Sequence, residues 1–262
     1  MKVTCLASSS SGNCYIMDFD NDGIHTLLMV ECGLPYREIL SRCNQNGIDF
    51  SSINTCLITH AHSDHSKCAK ELQNRGVRIW ASKPTLQAIG LQNHELALNE
   101  PKMVENGIGV MAFEVEHDIE GATGFVIKTK KECVIFINDC KRWNTNLINF
   151  KPDYVFIECN YNHKMVYAQL NQLKGELKNG QLDSIETKEH NIKIKQHERN
   201  INAHMSLHGT LLGLSKLNLR YCKTIFLMHL SDRYANEYLM KNEVQAQTGI
   251  KTYTCLKNGS IH

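Results

Sequence analysis

The chain has 262 residues, 42% of them hydrophobic and 21% charged, with a net charge of +2, which suits a single globular domain and excludes a chain that holds nucleic acid by bulk charge, leaving only a local basic patch for that purpose. Eleven cysteines, an odd number with none in a C-x-x-C pair, argue against a secreted disulfide scaffold and for free, buried thiols. No stretch reaches the ~18 apolar residues of a membrane span, and the N-terminus lacks a signal-peptide pattern, so a cytoplasmic protein without membrane contact is expected.

In chain order, Val3–Ala7 reads as a strand. Ser8 to Asn13 reads as a small-residue loop, either a plain turn or a backbone N–H cradle for phosphate. Cys14–Phe19 and His25–Val30 read as strands joined by a turn at Asn21-Asp22-Gly23. Pro35 to Gln45 reads as a helix stopped at Gly47. Ile53–Thr59 is an apolar, β-branched run expected to be a buried strand. A single helix is expected from a Ser63 or Asp64 cap through Ala69 and Leu72 to Gly76. Val77–Ala81 follows as a strand, and Pro84 opens a helix. Val110–Glu116, Gly124–Thr129, Cys133–Ile137 and Tyr154–Glu158 read as strands. The polar, charge-alternating stretch 174–203 reads as a solvated insertion or mobile arm at the substrate entrance, since it leads into His204. Ser206–Leu217 reads as a helix and Thr224–Met228 as a strand. Within the arm, His190, His197 and His204 are spaced by seven and read mostly as a coincidence of polar sequence.

The segment Thr59-His60-Ala61-His62-Ser63-Asp64-His65 packs three imidazoles and a carboxylate into six positions. On extended chain His60 and His62 face the same way and suit one cation. The turn into a helix aims Asp64 and His65 elsewhere, toward a second. Imidazole nitrogen suits zinc, and carboxylate oxygen also accepts manganese. Four ligands cannot close two shells, so later residues must contribute. His117, Asp139 and His229 each stand where an apolar strand gives out.

That motif, followed in order by His117, Asp139 and His229, resembles the metallo-β-lactamase superfamily. More narrowly, LASSSSGNCY at the start, IECNYN at 157–162, NAHMS at 202–206 and MHLSDRYANE at 228–237 resemble the YycJ/WalJ group of nucleases. The resemblance implies an α/β fold, the four-layer αββα sandwich, over residues 1–262. It implies that His60, His62 and His117 hold one metal. Asp64, His65 and His229 would hold a second, with Asp139 and a hydroxide bridging. The sequence departs from the family at Glu31, where aspartate is usual, at Ala203 for glycine, and at Leu207 for asparagine. Asn160, Tyr161 and Asn162 match the group's motif only in part. These departures bear on the substrate more than on the metals.

The function expected is a binuclear, metal-dependent phosphodiesterase, most simply a nuclease acting on DNA or RNA. Asp64 holds a metal and accepts a proton. His204 either contacts the scissile phosphate or protonates the leaving oxygen, if it is not a mere capping residue. Arg220 and Lys223 are thin candidates for gripping a nucleic-acid backbone. The alternatives are a phosphodiesterase for a cyclic nucleotide, a non-catalytic binding module, and a thioester or lactam hydrolase. Zinc and manganese, and monomer and homo-oligomer, stay open.

Overall fold

The computed structural model describes residues 1–179 and 183–262. Strands β1 (Lys2–Ser9), β2 (Gly12–Asn21) and β3 (Ile24–Val30) form an antiparallel meander. Ser8 and Ser9 finish β1 and Gly12 starts β2, so the expected Ser8–Asn13 loop is a tight hairpin turn at Ser10 and Ser11. Helix α1 (Tyr36–Gln45) follows Pro35 as expected, and β4 (Ile53–Leu57) pairs parallel to β3.

The helix expected over 63–76 is two pieces, α2 (Ser63–Ser66) and α3 (Ala69–Asn74). His62, not Ser63 or Asp64, is the residue before the first turn, and its side chain makes no cap. The break has a cause in the backbone. Cys32 donates to the His65 carbonyl, and the Cys32 carbonyl takes the Cys68 N–H, so the loop after β3 inserts into the helical ladder.

Next come β5 (Arg78–Trp80) and α4 (Lys83–Ala88), then β6 (Lys102–Glu105), β7 (Ile108–Glu116), β8 (Thr123–Lys128), β9 (Cys133–Ile137), the short β10 (Arg142–Trp143) and β11 (Tyr154–Glu158). The stretch expected as a solvated insertion or mobile arm is helical. Helix α5 (His163–Lys178) returns through α6 (Ser184–Ala203), which opens on a capping box between Asp183 and Glu186. Residues 180–182 of that stretch lie outside the described residues. Helix α7 (Leu207–Ser215), β12 (Thr224–Met228), α8 (Glu237–Thr248) and β13 (Thr252–Thr254) complete the chain.

One sheet runs β1-β2-β3-β4-β5; the other runs β10-β7-β8-β9-β11-β12-β13, with β6 on β7. Between them lies one apolar layer that includes Tyr15, Leu28, Phe125, Phe136, Phe156 and Phe226. Two further layers lie outside. Ile39, Cys43, Ala69, Leu72 and Leu86 cover the first sheet, while Leu214, Met240 and Val244 cover the second. The result is the expected αββα sandwich. Strands such as β9 are buried on both faces, which explains their unbroken apolar runs.

All eleven cysteines are free, and all but Cys222 are buried. Among the described residues no helix is long and apolar enough to cross a membrane.

Strands β9, β11 and β12 are parallel, and β7 shares their direction across antiparallel β8, so all four end at one edge of the sheet. His117, Asp139, Glu158 and His229 stand at or just beyond those four ends.

Candidate metal centre

Each site residue is aimed by the strand end that carries it. Beyond β3, β9 and β12 the backbone turns left-handed at Glu31 (φ 64°), Asp139 (φ 45°) and His229 (φ 55°). Non-glycine residues rarely sit there, and such strain persists where surrounding bonds over-determine it. Those bonds are present for two of the three. Glu31 N–H donates to Leu57 O, and His229 N–H donates to the Ser8 hydroxyl, each at 2.8 Å.

His60, His62 and His117 gather first. His60 Nε2 lies 3.1 Å from His62 Nδ1, and His117 Nε2 lies 3.3 Å from that same nitrogen. His117 Nδ1 donates to the Ala203 carbonyl at 3.0 Å, which turns its Nε2 inward. Burial holds His60 well below the usual imidazole range, and the nearby His65 adds to it; burial likewise lowers His117. Both are therefore neutral, with lone pairs available.

Asp64, His65, Asp139 and His229 gather beside them. Asp139 Oδ2 is 3.3 Å from His65 Nε2 and 3.9 Å from both His60 Nε2 and His117 Nε2, so one carboxylate reaches both groups. Asp139 Oδ1 is 3.0 Å from His229 Nδ1. Burial alone would raise the Asp139 carboxyl, but His229, His65 and His204 outweigh it and hold it well below the ordinary carboxylate range. Burial would lower His229, yet Asp139 and Glu158 raise it to about 10.

The donor set fits divalent cations. Three imidazole nitrogens face one another at near-contact distance, and His229 Nε2 is buried with no hydrogen-bond partner. Buried polar atoms without partners are costly unless an ion satisfies them. Binding a cation there needs deprotonated ligands, so it would release any protons held between imidazoles and carboxylates.

The supporting residues are also in place. Glu31, fully buried, takes the Thr59 hydroxyl and lies 3.3 Å from His65 Nδ1. Burial raises its carboxyl, with His65 opposing. Glu31 thus stands behind His65 with a left-handed backbone (φ 64°). Asn13 places its amide nitrogen 3.2 Å from His65 Nε2.

The structure brings together all seven candidate ligands, and His204 stands with them. His204 Nδ1 is 2.6 Å from Glu158 and 3.9 Å from Asp139. Burial pulls His204 down, but the Glu158 and Asp139 carboxylates outweigh it and hold it above its ordinary value. Its two seven-spaced companions do not join it. His190 pairs with Glu176 at 2.6 Å, and His197 is buried against Tyr234. Arg220 and Lys223 are also elsewhere, Lys223 being paired with Asp153 at 2.9 Å.

A cavity of about 420 Å³ opens over these groups, lined by residues including Ser10, Asp118, Gln196, Arg199 and Asn200. The sequence reading offered the turn that holds Ser10 as a phosphate cradle and placed the 174–203 stretch at the entrance, but it singled out none of Asp118, Gln196, Arg199 and Asn200, and it missed Glu158. Glu158 could have been found, because it ends an apolar strand just as His229 follows one. The α6 residues carry no such signal.

A family model described as "Beta-lactamase superfamily domain" matches residues 29–229. No curated protein matches in sequence. Among solved structures, the chain is similar to the metallo-β-lactamase fold protein YhfI from Bacillus subtilis, at 13% identity, TM-score 0.64, and 99% and 98% coverage of this chain and that one. It is similar to Zn(2+)-bound PqqB from Methylobacterium extorquens at 12% identity and TM-score 0.66, covering 100% and 99%. It is similar to the short form of human tRNase Z at 15% identity and TM-score 0.60, covering 100% and 98%. The chain belongs to the metallo-β-lactamase superfamily of metal-dependent hydrolases, and its candidate metal site lies within the matched residues.

Proposed function

We propose that this superfamily member is a nuclease, a binuclear phosphodiesterase akin to the YycJ/WalJ group. One observation carries the reading: every residue lining the cleft is polar. Pockets for small organic ligands are mostly apolar. A lactam, a thioester or the base of a cyclic nucleotide would find no aliphatic, tryptophan, tyrosine or phenylalanine side chain here. A phosphodiester backbone asks for charges and hydrogen-bond donors, which is what the cleft offers. The tRNase named among the solved structures has this fold, and its name is compatible with the reading.

His60, His62 and His117 would hold one cation, and Asp64, His65 and His229 another, with Asp139 serving both. Bound there, divalent cations supply an activated water and neutralise charge on the phosphoryl oxygens. The chain's own groups do the rest. Asp64, partly exposed at the cleft, accepts the proton of the attacking water. His204, held by Glu158, has its ring at the cleft wall and donates a proton to the leaving oxygen.

The test measures metal content, then hydrolysis of bis-p-nitrophenyl phosphate, single-stranded DNA, RNA and cyclic nucleotides with zinc or manganese. About two metals per chain and polymer cleavage, both diminished in the Asp64→Ala/His65→Ala double variant, support the proposal. Turnover of cyclic nucleotides alone overturns it in favour of a small substrate. Absence of metal and of turnover would make the fold a binding module.

A further inference from the structure

The far wall of the cleft belongs to α6, and its chemistry is opposite to that of the floor. Gln196, Arg199 and Asn200 lie three and four residues apart and line the cleft together, followed by His204 at the helix end. The cleft also holds three carboxylates, Asp64, Asp118 and Asp139, and among the described residues Arg199 is its one permanent cation.

Arg199 is held in place without being used up. Its Nε and Nη2 meet a single oxygen of Asp118 at 3.3 and 3.2 Å. The other oxygen of Asp118 lies 3.2 Å from His117 Nε2. One carboxylate thus links the guanidinium to the first group of ligands. A guanidinium has five N–H donors, and Arg199 meets no further acceptor among the described residues. The pair is exposed, with 74% of the Arg199 side chain accessible, so it exchanges partners at little cost. The neighbouring Asn200 also lines the cleft, and its amide nitrogen has no hydrogen-bond partner.

We infer that Arg199, with Asn200 beside it in the cleft wall, forms an anion subsite for the phosphate next to the scissile one, so that the substrate is a polymer of phosphodiesters. This rests on the phosphodiesterase reading above. Arginine suits the task because its planar fork pairs with two phosphate oxygens at once. Gln196, one turn earlier, extends the same wall along the strand. Phosphate is common to DNA and RNA, so both polymers suit the subsite.

The test is the affinity of the metal-loaded protein for short single-stranded DNA and RNA, read by fluorescence anisotropy before cleavage accumulates. Each sequence is made twice, once with phosphodiesters throughout and once with every second linkage a neutral methylphosphonate. Arg199→Ala is expected to weaken binding of the full phosphodiester about tenfold and to make the logarithmic salt slope shallower by about 0.7. On the alternating probe the variant and wild type should bind alike, since the contact is already gone. Arg199→Lys should keep the salt slope and lose part of the affinity. Equal weakening of both probes would mean that Arg199 only positions α6, and no weakening of either would mean that it touches no phosphate; each overturns the subsite. If these binding changes appear in a protein that cleaves nothing, the hydrolytic reading fails and the subsite stands.

Discussion

His204 Nδ1 lies 2.6 Å from a carboxylate oxygen of Glu158, a residue with no solvent exposure. The same carboxylate lies 3.2 Å from His229 Nδ1 and accepts the backbone N–H groups of Cys140 and Met205. One side chain at the end of β11 therefore ties together the ends of β9 and β12 and the start of α7. Glu158→Gln keeps the size and removes the charge. We expect it to cost about 3 kcal/mol, lowering the melting temperature by roughly 5–10 °C in calorimetry. An unchanged melting temperature would show that the charge is not what joins these strand ends.

Asp139 reaches both groups of ligands, whereas Asp64 reaches only one. Asp139→Asn should therefore deplete metal at both positions, and Asp64→Ala at one. Elemental analysis of the purified variants distinguishes them. Equal metal content in the two variants would refute the shared role of Asp139.

Glu31 supports His65 from behind, across 3.3 Å. Glu31→Asp shortens that reach while the backbone stays left-handed. Partners of metal ligands typically matter by about 10- to 100-fold in affinity, and we expect the lower figure here. Titration with zinc under competition by a chelator measures it, and an affinity equal to wild type would show that Glu31 is only a packing residue.

A Cβ built on Gly33 would fall 1.6 Å from the Asp64 carbonyl oxygen. Backbone meets backbone there, so neither side can yield by a rotamer change. Gly33→Ala should displace the start of α2, destabilise the fold by more than about 2 kcal/mol and reduce metal content with it. Urea unfolding followed by elemental analysis checks both, and a variant of normal stability would mean that the loop after β3 is looser than it looks.

The α5–α6 hairpin is tied by His190 and Glu176 at 2.6 Å, and by Lys174 and Glu198 at 2.8 Å. The Glu176 carboxylate raises His190 above its ordinary value, with the Glu186 carbonyl helping. A raised histidine stabilises the fold fully below its unfolded value, about 6.5, and the gain is lost as pH rises through the folded value. Amide exchange in α5 and α6 should therefore speed up beyond the intrinsic rate as pH rises from about 6.5. His190→Ala should abolish that extra dependence, and its persistence in the variant would assign it to another group.

What the sequence determined by itself was whatever depends on local order along the chain. The apolar β-branched runs specify β4, β9, β11 and β12, because a strand buried on both faces must be apolar throughout. The His60–His65 motif determines a metal-type ligand set, since so many imidazoles in six positions have few other uses, and the ends of apolar strands pointed to His117, Asp139 and His229. Tertiary structure alone decided the rest. It split the helix after Asp64, because the Cys32 loop supplies hydrogen bonds that no local pattern encodes. It made α5 and α6 helical although their apolar faces are weak, with Val166, Leu170, Ile194 and His197 among their few buried side chains. It also brought Arg199 and Asn200 to the cleft, 60 or more residues from His117 and Asp139 in the chain. Such residues leave no periodic mark, because a polar side chain facing a polar cleft looks, in sequence, like one facing water.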